Sequence, residues 1–79
     1  MYSIDFTDYA LDNLKKLNKQ AQDRILSVLD RIKISPELYL KKIPGIPYYK
    51  LVIAGYILTI DLRKKILIIF VVEVSRQNK

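Results

Sequence analysis

The sequence contains no cysteine, no histidine and no tryptophan, and it has only two glycines among its 79 residues. Without cysteine the chain forms no disulfide and carries no thiol nucleophile, which fits a reducing compartment. Because zinc and haem are held mainly by cysteine and histidine, we expect no metal and no other cofactor. A chain this short has a small core, so association is the remaining route to extra stability.

Long apolar runs are also missing. The segment Ile66–Val72 is apolar but far too short to cross a bilayer as a helix, and its β-branched residues favour a strand. The first residues do not have the pattern of a signal peptide. We therefore expect a cytoplasmic protein with no membrane contact.

The charge is unbalanced, with 14 lysines and arginines against 8 acidic residues, for a formal net charge of +6. A basic chain suits a polyanion such as RNA, DNA or an acidic protein segment, and equally a surface whose charge only aids solubility. The composition is also typical of a thermophilic source, because it is rich in Ile, Lys, Leu and Tyr and lacks Cys, His and Trp.

The periodicity of the first half predicts one strand and two helices. Tyr2–Phe6 alternates as a short strand does, and Thr7 is placed to cap the helix that follows. Asn18 is interpreted as the end of this helix. The second helix has an apolar stripe at helical spacing, formed by Ala21, Ile25, Val28, Leu29 and Ile32.

Three strands are predicted in the second half, after a connecting segment at Ser35–Ile46 that follows from Pro36. Tight turns at Ala54-Gly55 and at Arg63–Lys65 separate them. The strands are Tyr48–Ile53, Tyr56–Leu62 and Ile66–Val74. The predicted fold is one α+β domain over residues 1–79 with the order β-α-α-β-β-β. A helical hairpin should pack on one face of a small antiparallel sheet.

The predicted strands hardly alternate between apolar and polar residues, which an antiparallel sheet with one wet face should do. In the last strand, one set of alternate residues begins and ends with a charged residue, so it is assigned to the outer face. This set is Lys65, Leu67, Ile69, Val71 and Glu73. We expect a protein interface on that face, formed by Val52, Ile57, Leu67, Ile69 and Val71. A second copy or another polypeptide would cover it. The alternative is that the tail or the connecting segment folds over it.

Basic residues in turns and strands are candidates for nucleic-acid binding. They are Lys41, Lys42, Lys50, Arg63, Lys64, Lys65 and Arg76. The alternative is that they are solvated surface charges, which the turn positions favour. Tyr48 and Tyr49 can stack on bases, but packing against the helices is the simpler role for one of them.

The ordered series of elements and residues resembles the RelE/ParE toxins of type II toxin–antitoxin systems over nearly the whole chain. The segments that carry this resemblance are Tyr2–Thr7, Leu14–Leu17, Asp23–Ile25, Lys42–Gly45, Pro47–Leu51 and Gly55-Tyr56. The resemblance implies a RelE-like fold and a cognate antitoxin as partner. In members that cleave messenger RNA, it also implies a ribosome-bound RNA substrate.

The chain departs from the pattern of the RNA-cleaving members at important positions. Val52 and Ile57 stand where those members have arginines, and the family's Gly-His-Arg segment and later tyrosine are not matched around Arg76. Since one lost charge donor can raise a reaction barrier by roughly 3–4 kcal/mol, the nuclease chemistry is expected to be lost or altered. If the chain does cleave RNA, Lys50 and Arg76 are the candidate catalytic residues.

Three interpretations follow from the sequence. The first is a toxin-type protein that acts by binding an antitoxin, a second copy or a cellular target. The second is an active ribosome-dependent messenger RNA endoribonuclease. The third is a small basic nucleic-acid-binding module. The ParE branch, which poisons gyrase, also tends to lack the nuclease residues and belongs with the first interpretation.

Overall fold

The computed structural model describes residues 1–77 and has two α-helices on one face of a five-stranded sheet. The elements in chain order are strand β1 (Ser3–Phe6), helix α1 (Asp8–Lys15), helix α2 (Lys19–Ile32), a short 3₁₀ helix (Pro36–Leu38), and strands β2 (Lys41–Lys42), β3 (Tyr49–Ile53), β4 (Tyr56–Arg63) and β5 (Ile68–Arg76). No helix within this described part is long and apolar enough to cross a membrane.

The spatial order of the strands is β1-β5-β4-β3-β2, and β2 to β5 pair antiparallel. Strand β1 pairs with β5 in parallel. A parallel partner needs a long crossover, which the two helices and the intervening strands provide. The predicted α+β fold is confirmed, with two additions: the short strand β2, and a parallel first strand that makes the sheet mixed.

Both helices begin at a side-chain cap. Thr7 Oγ1 accepts a hydrogen bond from the backbone N–H of Ala10 at 3.1 Å, as the sequence predicts. Asn18 Oδ1 accepts one from the N–H of Ala21 at 2.8 Å. Asn18 therefore starts α2 instead of ending α1, which stops at Lys15. Such caps typically contribute about 1 kcal/mol each.

The core lies between the helices and the facing side of the sheet. Its buried residues are all aliphatic, and no polar or charged side chain is buried within residues 1–77. They are Ala10, Leu14, Ile25, Leu29, Ile32, Leu40, Leu51, Ile53, Leu58, Ile60, Ile69, Val71 and Val74. The apolar stripe predicted for α2 is confirmed, with Ile25, Leu29 and Ile32 at its centre.

A β-bulge interrupts strand β5 at Val72. Thr59 pairs with Glu73, whereas the next residue of β4, Ile60, pairs with Val71. Val72 is therefore the extra residue, and it has no partner of its own in β4. A bulge of one residue exchanges the two faces of the strand beyond it, because side chains alternate with a period of two.

Side chains of helix α1 and of its N-cap form hydrogen bonds with backbone groups of β5 at the bulge. The Thr7 hydroxyl donates to the backbone oxygen of Val72 at 3.3 Å. The backbone N–H of Val74 donates to Asn13 Oδ1 at 3.0 Å. Thr7 thus both caps α1 and binds the bulge, so the helix and the irregular strand are held in one relative position.

The predicted faces of β5 are wrong on the N-terminal side of this bulge. Ile69 and Val71 were expected on the outer face, but both are fully buried beneath the helices. Beyond the bulge, Val74 is buried and Glu73 lies on the other face, as predicted. Leu67 was expected in the strand, but it lies in the turn before Ile68 with a positive φ of 56°. Alternation extrapolated back from Glu73 fails because it crosses the bulge.

The hairpin between β3 and β4 has the predicted two-residue turn. Ala54 and Gly55 both have positive φ, at 52° and 85°, as in a type I′ turn. This conformation matches the twist of the strands but is unfavourable for alanine.

We expect Ala54→Asn to stabilise the protein by about 0.5–1 kcal/mol, because asparagine adopts positive φ more readily than alanine. This corresponds to a rise in Tm of about 2–8 °C for a domain of this size. Thermal unfolding followed by circular dichroism measures it. The matched control is Ala54→Val, which should lower Tm because a β-branched residue is strained at positive φ.

We expect Asn13→Ala to destabilise the fold by about 1–3 kcal/mol, because it leaves the N–H of Val74 without its acceptor. Asn13→Asp keeps an acceptor oxygen at the same position and should lose much less. Urea unfolding of the two variants gives both values. An Asn13→Ala stability within about 0.5 kcal/mol of the wild type, the range of an ordinary surface change, would contradict the assigned role.

Candidate functional site

The sheet face opposite the helices, here called the open face, carries the candidate site. Cross-strand partners share a face, so the strand register places side chains in rows across the sheet. One row runs Lys41, Lys50, Thr59, Glu73. Two amines therefore lie at one end of the row and a carboxylate lies at the other.

The next row places Val52 directly beside Ile57, followed by Ser75. Val52 is 47% exposed and Ile57 is half-buried. These are the two positions at which the RNA-cleaving relatives are expected to carry arginine. The centre of the open face is therefore apolar and partly exposed to solvent, and Lys41 and Lys50 lie on one side of it.

Arg63 on the same face is engaged by Asp61. Its Nε lies 2.9 Å and its Nη2 2.8 Å from Asp61 Oδ2, and its guanidinium lies 5.7 Å from the centroid of the Phe70 ring. The hydrogen bond to Asp61 and then the attraction of that carboxylate raise the pKa of Arg63. Arg63 is thus always charged, but its charge is already paired.

The structure separates the two candidate catalytic residues. Lys50 pairs with Thr59 on the open face, whereas Arg76 pairs with Tyr56 and lies over its ring at 5.7 Å. The Tyr56 ring packs against the core, on the helix side of the sheet. Lys50 and Arg76 therefore do not meet around one substrate in this conformation.

The other basic candidates are also dispersed. Lys42 lies over the ring of Tyr49 at 5.0 Å, and that ring packs on the core. Lys64 lies in the turn between β4 and β5, 3.5 Å from Glu37. Lys65 is exposed in the same turn. Of the seven basic residues proposed for nucleic-acid binding, Lys41 and Lys50 are cross-strand neighbours on the open face.

The predicted interface set is divided in the same way. Val52 and Ile57 lie on the open face, Leu67 is exposed in the turn, and Ile69 and Val71 are in the core. The open face is consequently less apolar than the sequence predicts, because polar residues replace the two buried aliphatic ones. The interface expected there is smaller and more mixed in character.

A shallow pocket of about 290 Å³ lies at the lysine end of the open face. It is lined by Tyr39, Lys41, Lys50, Leu51 and Val52. Sequence reasoning does not single out Tyr39 or Thr59, whereas it offers Glu73 as a general base beside the simpler role of a solvated carboxylate at the strand end. The sequence pattern that indicates this site is the alternation along Lys50-Leu51-Val52-Ile53. It places Lys50 and Val52 on one face of the sheet, and the core residues Leu51 and Ile53 on the other.

The chemistry available to this arrangement is recognition of an anionic group beside an apolar surface. Two neighbouring ammonium groups suit a carboxylate or a phosphate. Within residues 1–77, no group of three or more His, Cys, Asp or Glu side chains is placed to hold a metal ion.

No protein-family model matches this sequence, and no curated protein sequence matches it. Solved structures, however, do match this chain. A chain of the intact Escherichia coli RelBE toxin-antitoxin complex has a TM-score of 0.84 at 26% identity, with 100% of each chain covered. A mutant of the E. coli RelE toxin in the free state gives 0.81 at 28% identity, with 95% of this chain and 82% of that one covered.

A third similar structure is the toxin-antitoxin complex RelBE2 from Mycobacterium tuberculosis. It has a TM-score of 0.85 at 15% identity, with 96% of this chain and 98% of that chain covered. At that identity the similarity shows the shared fold alone. The two E. coli structures show the same architecture with closer sequence similarity.

Two substitutions to lysine distinguish the faces of the sheet. Ile69→Lys places a charge in the core and should cost more than about 4 kcal/mol, which is enough to unfold a domain of this size. Val52→Lys places the same charge on the open face and should leave the fold intact. Circular dichroism and urea unfolding compare them. A folded, stable Ile69→Lys protein would show that the assigned register of β5 is wrong.

Proposed function

We propose that this chain is a RelE-type toxin that acts by binding another polypeptide through its open face, with RNA-cleaving chemistry lost or altered. The observation that carries the proposal is the pair Val52 and Ile57 at the centre of that face, beside Lys41 and Lys50. A partner that covers the two aliphatic side chains and presents carboxylates to the two lysines fits this surface.

The energetics favour binding over catalysis. Complete burial of an aliphatic side chain contributes about 1.5–3 kcal/mol, so Val52 and Ile57 are useful anchors for a partner. Phosphoryl transfer instead needs positioned cations around the reacting phosphate, and each lost donor can cost about 2.7–4 kcal/mol. In the described part of the chain, Arg63 is paired with Asp61 and Arg76 lies on the other side of the sheet.

An antitoxin is the partner we propose first. The E. coli relative was solved in a RelBE toxin-antitoxin complex, and the net charge of +6 on this chain favours an acidic partner. The same charge opposes a homodimer, since two copies repel each other. We keep the cytoplasm as the proposed location.

An active ribosome-dependent endoribonuclease is the second candidate. The row on the open face supports it, because Lys50 and Glu73 flank Thr59 and supply one cation and one carboxylate on the same surface. In that reaction Glu73 would accept the proton of the ribose 2′-hydroxyl while the 2′-oxygen bonds to the adjacent phosphorus and Lys50 binds the phosphate oxygens. The bond from phosphorus to the 5′-oxygen would break, and water would give that oxygen its proton. The third candidate, a basic nucleic-acid module, rests on net charge and predicts binding that weakens steeply with salt.

A cleavage assay separates the first two candidates. We expect purified protein added to translating ribosomes to leave the messenger RNA intact, because the open face lacks a cluster of unpaired arginines. A family member that cleaves messenger RNA is the positive control. Cleavage by this chain that disappears in both Lys50→Ala and Glu73→Gln would overturn the binding proposal in favour of the nuclease.

Partner binding is tested with the protein encoded next to this chain's gene. We expect Ile57→Lys and Val52→Lys each to weaken the complex by at least about 10-fold in calorimetry, because each buries an unpaired charge against the partner. The matched control is Leu26→Lys, since Leu26 on α2 is exposed to a similar extent, 43% against 47% for Val52. Equal losses in all three variants, or no complex with the wild type, would refute an open-face interface.

A further inference from the structure

We propose that Arg76, Tyr56 and Arg24 form a second binding site, on the helix side of the sheet, that takes a short segment of single-stranded nucleic acid. The site lies at the end of the sheet where the β3–β4 hairpin turns. It is separate from the open face, because Tyr56 packs on the core beneath the helices. The three side chains come from β5, β4 and α2.

The first supporting observation is a cation beside an aromatic ring. The guanidinium of Arg76 lies over the ring of Tyr56 at 5.7 Å, and Arg76 is exposed. The backbone N–H of Gln77 donates to the oxygen of Gly55 at 2.8 Å, which ties the end of β5 to the hairpin turn. The planar cation is therefore held over an aromatic ring. A guanidinium plane of this kind is a stacking surface for an unpaired base.

The second observation is the lining of the surrounding surface. Two shallow pockets, each of about 260 Å³, meet at Tyr56 and Ala54. Besides these two residues, their linings are Asn18, Gln20, Ala21 and Arg24 in one pocket, and Gly55, Arg76 and Gln77 in the other. Both linings are rich in hydrogen-bond donors, and neither includes a carboxylate. Such a surface attracts anions and supplies donors to phosphate and base edges.

The third observation concerns the ion pairing of the two arginines. Within residues 1–77 neither Arg24 nor Arg76 forms an ion pair with a carboxylate, in contrast to Arg63 on the open face. An acidic peptide would satisfy the two charges but would not use the planar face of the Arg76 guanidinium or the neighbouring Tyr56 ring. A nucleotide uses both features, with its phosphate on one arginine and its base on the other. The combination therefore favours nucleic acid.

The experiment measures fluorescence anisotropy of labelled decauridine RNA and of the matching decathymidine DNA with the whole chain. We expect binding of at least one probe, weakened about 10-fold by Arg76→Ala and by Arg24→Ala. Arg76→Lys keeps the charge but loses the plane, so it should also bind more weakly than the wild type. Because each phosphate contact contributes about 0.7 to the salt slope for single strands, Arg24→Ala, which removes the phosphate contact, should reduce the slope by about 0.7.

The matched control is Arg31→Ala, which removes an exposed arginine from the last turn of the same helix, away from the hairpin. We expect it to change affinity less than 2-fold. Circular dichroism checks that each variant is folded. Three results would overturn the site: no binding of either probe by the wild type, an equal loss in Arg31→Ala and Arg76→Ala, or wild-type affinity in Arg76→Lys. Displacement of the probes by a deca-glutamate peptide at equal affinity would assign the surface to acidic protein instead.

Discussion

The hydrogen bonds between helix α1 and the bulge at Val72 are the constraint on which both surfaces of this protein depend. The Thr7 hydroxyl and the Asn13 side chain satisfy the backbone of β5 where the sheet cannot. Because the bulge adds one residue, it places Glu73 on the open face opposite Thr59. It also places Arg76 on the helix side opposite Tyr56. Without it, the alternation of β5 would exchange these two positions and bring Arg76 to the face that carries Lys50.

The two faces of the sheet consequently have different chemistry. The open face combines a partly exposed aliphatic pair with two lysines, and its arginine is held by Asp61. The helix side has an arginine over a tyrosine ring, among polar side chains. The first surface suits a polypeptide that brings apolar anchors and carboxylates, and the second suits phosphate and base. On a RelE-like fold, this distribution of charged groups is the basis of the proposed binding role.

Local signals predicted most of the architecture. The cap at Thr7, the stripe Ile25, Leu29 and Ile32, and the turn at Ala54-Gly55 all depend on neighbouring residues and are confirmed. Strand β5 is the failure, because almost every residue from Ile66 to Val74 is apolar and the alternation refers only to the charges at its two ends, Lys65 and Glu73. Lys65 lies in the turn and Glu73 lies beyond the bulge, so the prediction is correct for Val74 but wrong for Ile69 and Val71. Asn18 was assigned to the wrong helix end, since the same residue type favours both positions.

The sequence alone determined the order of the elements, the helical faces, the absence of cysteine and histidine chemistry, and the aliphatic residues at positions 52 and 57. These properties follow from composition and from contacts between residues close in the chain. The tertiary structure decided the parallel pairing of β1, the position of the bulge and the faces on which Ile69, Val71 and Arg76 lie. The bulge depends on hydrogen bonds between residues 61 and 65 positions apart. The alternation of residues within one strand cannot reveal a bulge, because the register there depends on hydrogen bonds to a helix that is distant in the sequence.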